Sequence, residues 1–298
     1  MKFKLNAMVA AVALLASVGA QAAMDTMASG NGTLALVAYD RTGIATGSFM
    51  ADLNFNIDAF LPTSTAASNT IVWNFGANTI SVNGSALTGL SIAYSTEFSS
   101  YASGTQATEM RWAVVGGDGN SQRFVTTGAP TINNLSDTDL SRQTNAATSN
   151  MSNMDGLWTS NNQAGTHLTS DIGAKFSTPG DTSTFAPVAG TGKFGTNGNW
   201  NGALKWSAGL ANTVASKFFL LDNTGTRGDF ATPITTYGNP NVSAPSVASA
   251  NFSTFAFDQN AGTLTWTGVA APIPEPGTYA MLLAGLAAIG FMARRRSA

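Results

Sequence analysis

The only histidine of the 298-residue chain, His167, stands four residues before Asp171 in a stretch rich in Thr and Ser. An imidazole beside a carboxylate is the centre of nucleophilic hydrolysis, and any Ser-His-Asp arrangement here has to pass through this one ring. Serines abound, but no Gly-x-Ser-x-Gly turn presents one as a nucleophile, so His167 reads as a surface residue of a Thr-rich loop. Paired carboxylates are the other hydrolytic option. Glu97 and Glu109 are the only glutamates between residues 23 and 270; a glycosidase needs two such groups as acid and base, and only the fold can bring these together. For a hard cation, Gly116, Gly117, Asp118, Gly119 and Asn120, and again Asp222, Asn223, Thr224 and Gly225, set oxygen donors in glycine turns, which Ca2+ suits. Neither stretch has the length, spacing or terminal acid of an EF-hand, so both read as hairpin turns and no cofactor is expected. One histidine and no cysteine exclude multi-histidine and thiolate metal sites. Arg227, Gly228 and Asp229 match an adhesion tripeptide and read as another turn. Of the six tryptophans, Trp73, Trp112, Trp158, Trp200, Trp206 and Trp266, most are expected in the core; Trp200, within the polar run 197–202, is the least obviously buried.

The elements that must position these residues read as β-strands. Runs rich in β-branched and aromatic residues occur at 33–39, 70–75, 90–94, 123–127, 217–221 and 263–267, each bounded by Gly, Asn, Asp or Ser. Leu53, Phe55 and Ile57 alternate and share one strand face. Phe255 and Phe257, the turn 258–262, then Leu264 and Trp266 read as a hairpin. Many short strands between turn clusters predict a mainly β body, an antiparallel β-sandwich or jelly roll, and no fixed period supports a solenoid. One stretch departs from this. Over 135–158, Leu140, Ala147, Met151, Met154 and Trp158 recur at near-helical spacing behind Ser136 and Asp139, which could cap a helix; the Ser, Thr and Asn between them equally suit a polar loop. A short helical insertion is therefore carried beside a loop reading, followed by long Gly-, Asn- and Thr-rich loops over 155–201.

The two ends of the chain carry addresses. Lys2 and Lys4 precede an apolar stretch over 7–18, and Ala20, Gln21 and Ala22 give the small-x-small pattern cut by signal peptidase, which predicts a signal helix over 1–22 and Ala23 as the first mature residue. At the other end, Pro272, Pro274 and Pro276 hold an extended spacer around Glu275. An uncharged apolar run follows over 279–293, with Tyr279, Leu282, Leu283, Leu286, Ile289 and Phe291, and then Arg294, Arg295 and Arg296. As a transmembrane helix the run would span about 22 Å against roughly 30 Å of hydrocarbon, a marginal fit that Tyr279 and the snorkelling arginines extend. Three arginines set that end on the cytoplasmic side, so the bulk of the chain lies outside. The organisation expected is a signal peptide (1–22), a β-rich extracytoplasmic body (23–270) and a sorting tail (271–298). The body carries nine Lys and Arg against fifteen Asp and Glu, a formal −6, which argues against nucleic acid as a partner. Charged residues are only 10% of the chain, so the surface is polar through hydroxyls and amides, groups that suit sugars.

Pro274, Glu275 and Pro276 followed by Gly277, the short apolar helix and Arg294 to Arg296 resemble the PEP-CTERM sorting signal of Gram-negative bacteria, with Ile273 where many members have Val. The resemblance covers under a tenth of the chain and gives an address, since bodies that share such tails are unrelated. It implies a protein exported past signal peptidase, held transiently in the inner membrane, and released or transferred by an exosortase-type enzyme to the cell surface or matrix, often in bacteria that make exopolysaccharide. The function expected is a non-enzymatic structural or glycan-binding role in that biofilm-associated layer. A secreted polysaccharide hydrolase working through carboxylates is the alternative. Ice binding, which would want a flat Thr-rich face, is a weaker one.

Overall fold

The computed structural model describes residues 24–26, 30–40, 47–60, 70–105, 108, 110–118, 123–128, 158–170, 172–178, 211–222, 234–236 and 254–268. Its strands are β1 (Thr33–Asp40), β2 (Ser48–Asn56), β3 (Thr70–Asn74), β4 (Thr79–Val82), β5 (Ser85–Ala86), β6 (Ile92–Ala93), β7 (Met110–Asp118), β8 (Arg123–Gly128), β9 (Ile172–Ser177), β10 (Ser216–Asp222), β11 (Ile234–Thr236), β12 (Thr254–Asp258) and β13 (Thr263–Thr267). A ten-residue helix, α1 (Ser95–Gly104), and a 3-10 turn at Gly165–Leu168 complete the named elements. The strands form one sheet in the order β5-β4-β3-β13-β12-β10-β8-β7-β1-β2-β9-β6, with β11 paired to β10. All the pairings are antiparallel except β6 with β9. The body is therefore mainly β, as its composition predicts.

Aromatic residues explain how a sheet this wide buries itself. In the β12–β13 hairpin Phe255 stands opposite Trp266 and Phe257 opposite Leu264; β13 in turn sets Trp266 against Ile71 and Leu264 against Trp73 of β3. All six side chains fall on one face by the period-2 rule and all are buried. That face meets the far wing of the sheet. Phe55 of β2 stands edge-on to Trp73 of β3 at 5.8 Å, and Phe49 of β2 meets Phe75, just past β3, at 5.5 Å. Strands distant in the sheet order thus face each other across one core, a packing consistent with the sandwich expectation. A helical turn at 57–60 drops Phe60 between them, 5.2 Å from Trp266 and 5.6 Å from Phe218. Such edge-on pairs add about 0.5–1.5 kcal/mol each beyond the area they bury.

Two local expectations are corrected. The run 90–94 supplies only the two residues of β6, because Tyr94 already opens α1. Asn78 of the β3–β4 turn causes this: its Oδ1 accepts the backbone N–H groups of Tyr94 at 2.7 Å and Ser95 at 2.8 Å, satisfying donors that a helix start leaves open. Phe98 and Tyr101, three apart, then give α1 its buried face. The second correction concerns Ile57: Leu53 and Phe55 line the core from β2 as their alternation predicts, but Ile57 reaches it from the helical turn 57–60, past the end of the strand. Asp52 and Asn54 of β2 are buried too, so this strand has no solvent face. Of the expected helical insertion, Trp158 alone is described; it is helical together with 159–162, and its Nε1 donates to the Thr33 carbonyl at 3.0 Å. Residues 1–22 and 271–298, with the signal helix and the transmembrane helix expected there, lie outside the described residues. Among those described, no helix is long and apolar enough to cross a membrane.

Candidate functional site

The alternation that buries Phe255, Phe257, Leu264, Trp266, Ile71 and Trp73 directs the residues between them to the opposite face. There Thr254, Thr267 and Thr70 stand in one row across β12, β13 and β3; Ala256, Thr265, Val72 and Ser81 form the next, reaching β4; Asp258, Thr263, Asn74 and Thr79 form the third. These side chains are half-buried to exposed. Neighbouring strands are about 4.8 Å apart, so the face presents hydroxyls at regular intervals. Its one charged residue, Asp258, braces the hairpin turn: Asp258 Oδ1 accepts the N–H of Asn260 at 2.9 Å, as Asn74 Oδ1 accepts that of Ala77 at 2.9 Å in the next turn. The face offers rows of hydroxyls with a single carboxylate at its edge.

The residues with titrating chemistry sit elsewhere and are buried. Opposite β1, the pairing of β2 slips between Thr33 and Ala35, and the bulge places Asn54 at φ +59. Asp52 Oδ1 accepts the Asn54 N–H at 2.6 Å inside this bulge. Two carbonyls at the bulge accept from side chains, that of Asp52 from Tyr94 Oη at 2.5 Å and that of Leu53 from Trp73 Nε1 at 2.9 Å. Burial raises the Asp52 carboxyl from 3.8 to about 7; the Asn54 N–H opposes this and the nearby Asp25 adds to it. The Tyr94 hydroxyl is raised well above its usual value, first by burial and then by Asp52. Sequence reasoning passed over this centre, although the signal was present: two polar residues interleaved with Leu53 and Phe55.

His167 is not the surface residue its loop suggested. It is 5% exposed, with no hydrogen-bond partner for either ring nitrogen among the described residues, and burial lowers it from 6.5 to about 4. Asp171 lies outside the described residues. The same holds for Glu109, while Glu97 on α1 is already engaged: its Oε2 accepts the Phe176 N–H of β9 at 2.6 Å. Gly116, Gly117 and Asp118 belong to β7 itself, where Asp118 pairs with Arg123 of β8, and not to a turn as expected; Gly119 and Asn120 lie outside the described residues. Asp222 ends β10, and Asn223 to Gly225 lie outside the described residues with Arg227, Gly228 and Asp229. Among the described residues no three His, Asp or Glu gather where they could hold a metal ion. Trp73, Trp112, Trp158 and Trp266 are fully buried, as expected of most; Trp200 and Trp206 lie outside.

The sorting residues Pro274, Glu275 and Pro276, the apolar Tyr279, Leu282, Leu283, Leu286, Ile289 and Phe291, the basic Arg294, Arg295 and Arg296, and the cleavage-site Ala20 and Ala22 also lie outside the described residues. For the tail, comparison supplies what geometry does not. A family model described as the PEP-CTERM protein-sorting motif matches residues 272–296. No curated protein and no solved structure matches the chain. The chain thus carries a PEP-CTERM protein-sorting motif, the mark of an exported, surface-directed protein processed by an exosortase-type enzyme, on a β-rich body without a recognised family.

Proposed function

We propose that this protein passes through the inner membrane on its way to the cell surface or extracellular matrix, and that its β-body serves there as a non-enzymatic structural or glycan-binding module. The motif at 272–296 carries the address, and the threonine face of β12, β13, β3 and β4 carries the role. Pyranose rings present equatorial hydroxyls at a spacing such a face can meet, and a surface with little charge suits a neutral polysaccharide better than an acidic one. The rival reading, a carboxylate-dependent hydrolase, is weakened because Glu97 is committed to a backbone N–H.

The test takes the native chain and a variant with Pro274, Glu275 and Pro276 replaced by alanine in an exosortase-containing host. Intact mass and location are followed, and then retention of the released protein on the host's exopolysaccharide. Loss of tail mass and release are expected in the native chain only. Retention should fall in Thr265→Lys, which sets a long charge at the centre of the face. Glycan breakdown by the native protein, abolished in Glu97→Gln or Glu109→Gln, would overturn the non-enzymatic role. A second reading, ice binding, is favoured by the same rows of threonine; thermal hysteresis lost in Thr265→Lys, with no glycan retention, would establish it instead.

A further inference from the structure

β9 lies beside β2 and offers its other edge to β6 over only two residues, Ile172 and Gly173. A strand edge left open is a template for pairing with another chain, so its N–H groups need partners. Each comes from a different place. The Ser91 carbonyl accepts Ile172 N–H at 3.1 Å, Thr166 Oγ1 accepts Ala174 N–H at 2.9 Å, and Glu97 Oε2 accepts Phe176 N–H. Thr166 also donates to the Ala93 carbonyl, so its hydroxyl ties β9 and β6 to the 3-10 turn Gly165–Leu168.

That turn lies directly on the strand backbone. A Cβ on Gly165, whose φ is +59, would come within 2.3 Å of the Ala174 carbonyl oxygen, and one on Gly173 within 2.6 Å of the His167 nitrogen. Only glycine permits this approach. The next side chain after Thr166 is His167, buried with neither ring nitrogen bonded, and the one after that, Leu168, is 68% exposed. The turn therefore holds the edge through one hydroxyl while burying an imidazole that has, among the described residues, no acceptor for a second proton.

We propose that Gly165–Leu168 is an acid-released strap: protonation of His167 expels the turn from the sheet, withdraws Thr166 from Ala174 and opens the outer edge of β9. The driving force is geometric, since an imidazolium needs two acceptors and the closed strap supplies none, whereas the open strap gives it water. Among the described residues the elements packed against the strap are β9, α1 and, at Ala93, β6, and the charged side chains they carry are Lys175 and Glu97. These act in opposite directions on an imidazolium, and Glu97 is held by Phe176, so burial dominates and lowers the affinity of His167 for its proton. The change is confined to the strap because Leu168 has little contact to lose.

The experiment is amide hydrogen exchange on the full chain in detergent, expressed as protection factors at pH 7.5 and pH 4. With His167 titrating at 6.5 when the strap is open and about 4 when closed, the opening equilibrium rises on the order of 100-fold over that range. Protection at Ala174 is expected to fall by that factor, while Val37 in β1 keeps its own. His167→Gln, and His167→Leu should the first variant fold poorly, remain neutral and are expected to hold Ala174 protected at pH 4. Unchanged protection of Ala174 in the native chain at pH 4 overturns the proposal. So does an equal loss in either neutral variant, or a loss shared by Val37.

Discussion

Replacing Asp52 by asparagine tests the reading of the β2 bulge most directly. The substitution keeps the shape and an Oδ1 that can accept the Asn54 N–H, and removes only the ability to ionise. In the folded protein the carboxyl titrates near 7, against 3.8 when exposed. Between those values the unfolded chain releases its proton first, so ionisation favours unfolding. The acid's contribution to stability is thus fully present below about pH 4, declines as pH rises, and is lost by pH 7. At about 1.36 kcal/mol per pH unit, the full gap corresponds to about 4 kcal/mol at pH 8 and roughly 2 kcal/mol at pH 5. Asp52→Asn should therefore be more stable than the native protein by about 4 kcal/mol at pH 8 and nearly equal to it at pH 3. In urea, with a slope near 3 kcal/mol per molar, the midpoint difference at pH 8 is about 1.3 M. The readout is the difference between the two unfolding curves at each pH, which cancels every other titrating group. A difference that stays constant from pH 3 to pH 8, or that favours the native protein at high pH, would refute a buried, proton-holding Asp52.

Two further substitutions probe what surrounds that bulge. Trp73→Phe keeps a ring against Phe55 but removes the donor to the Leu53 carbonyl; an unmet buried acceptor should destabilise by about 1–3 kcal/mol, read as a lower urea midpoint with an unchanged slope. Asn78→Ala strips the start of α1 of its cap and should cost about 1 kcal/mol, with faster amide exchange at Tyr94 and Ser95 and no change at Val37. An Asn78→Ala protein as stable and as protected as the native one would show that α1 is held by Phe98 and Tyr101 packing without the cap.

Where one side chain pattern decided a strand, the sequence was readable. Phe255, Phe257, Leu264 and Trp266 alternate with Thr and Ala, and the hairpin they predict is the one formed; the run 263–267 becomes β13 residue for residue. Where both faces are buried, alternation carries no information. β7, with Met110, Trp112, Ala113, Val114 and Val115 all covered, and β9, with its glycine and lysine, passed unread for that reason. The start of α1 was hidden in another way, because its cap is Asn78, remote in sequence and brought close only by the β3–β4 turn. The threonine face was equally illegible: each strand contributes only two or three of its residues, and the rows exist only once β12, β13, β3 and β4 are placed in register. The tail is the opposite case, a linear signal whose meaning is complete in its residue order.

Asp52 and His167 impose opposite pH slopes on the same body, and over nearly the same window. Burial raises the acid, so its contribution to stability is lost between about pH 4 and pH 7 as pH rises; burial lowers the imidazole, so its contribution is present above 6.5 and is lost as pH falls toward 4. The amounts are similar, about 4 kcal/mol for the first and about 3 kcal/mol for the second. Their sum leaves global stability nearly flat from neutral to mildly acid conditions, a useful property beyond the buffered cytoplasm. The cancellation is global and not local. Asp52 acts on the bulge between β1 and β2, whereas His167 acts on the strap over β9, so acid tightens one while loosening the other. A protein that held its core yet released its edge in acid would show just this pair of buried groups. Asp52→Asn, by removing one slope, should expose the other: its stability should fall by about 3 kcal/mol between pH 7 and pH 4, where the native protein changes little.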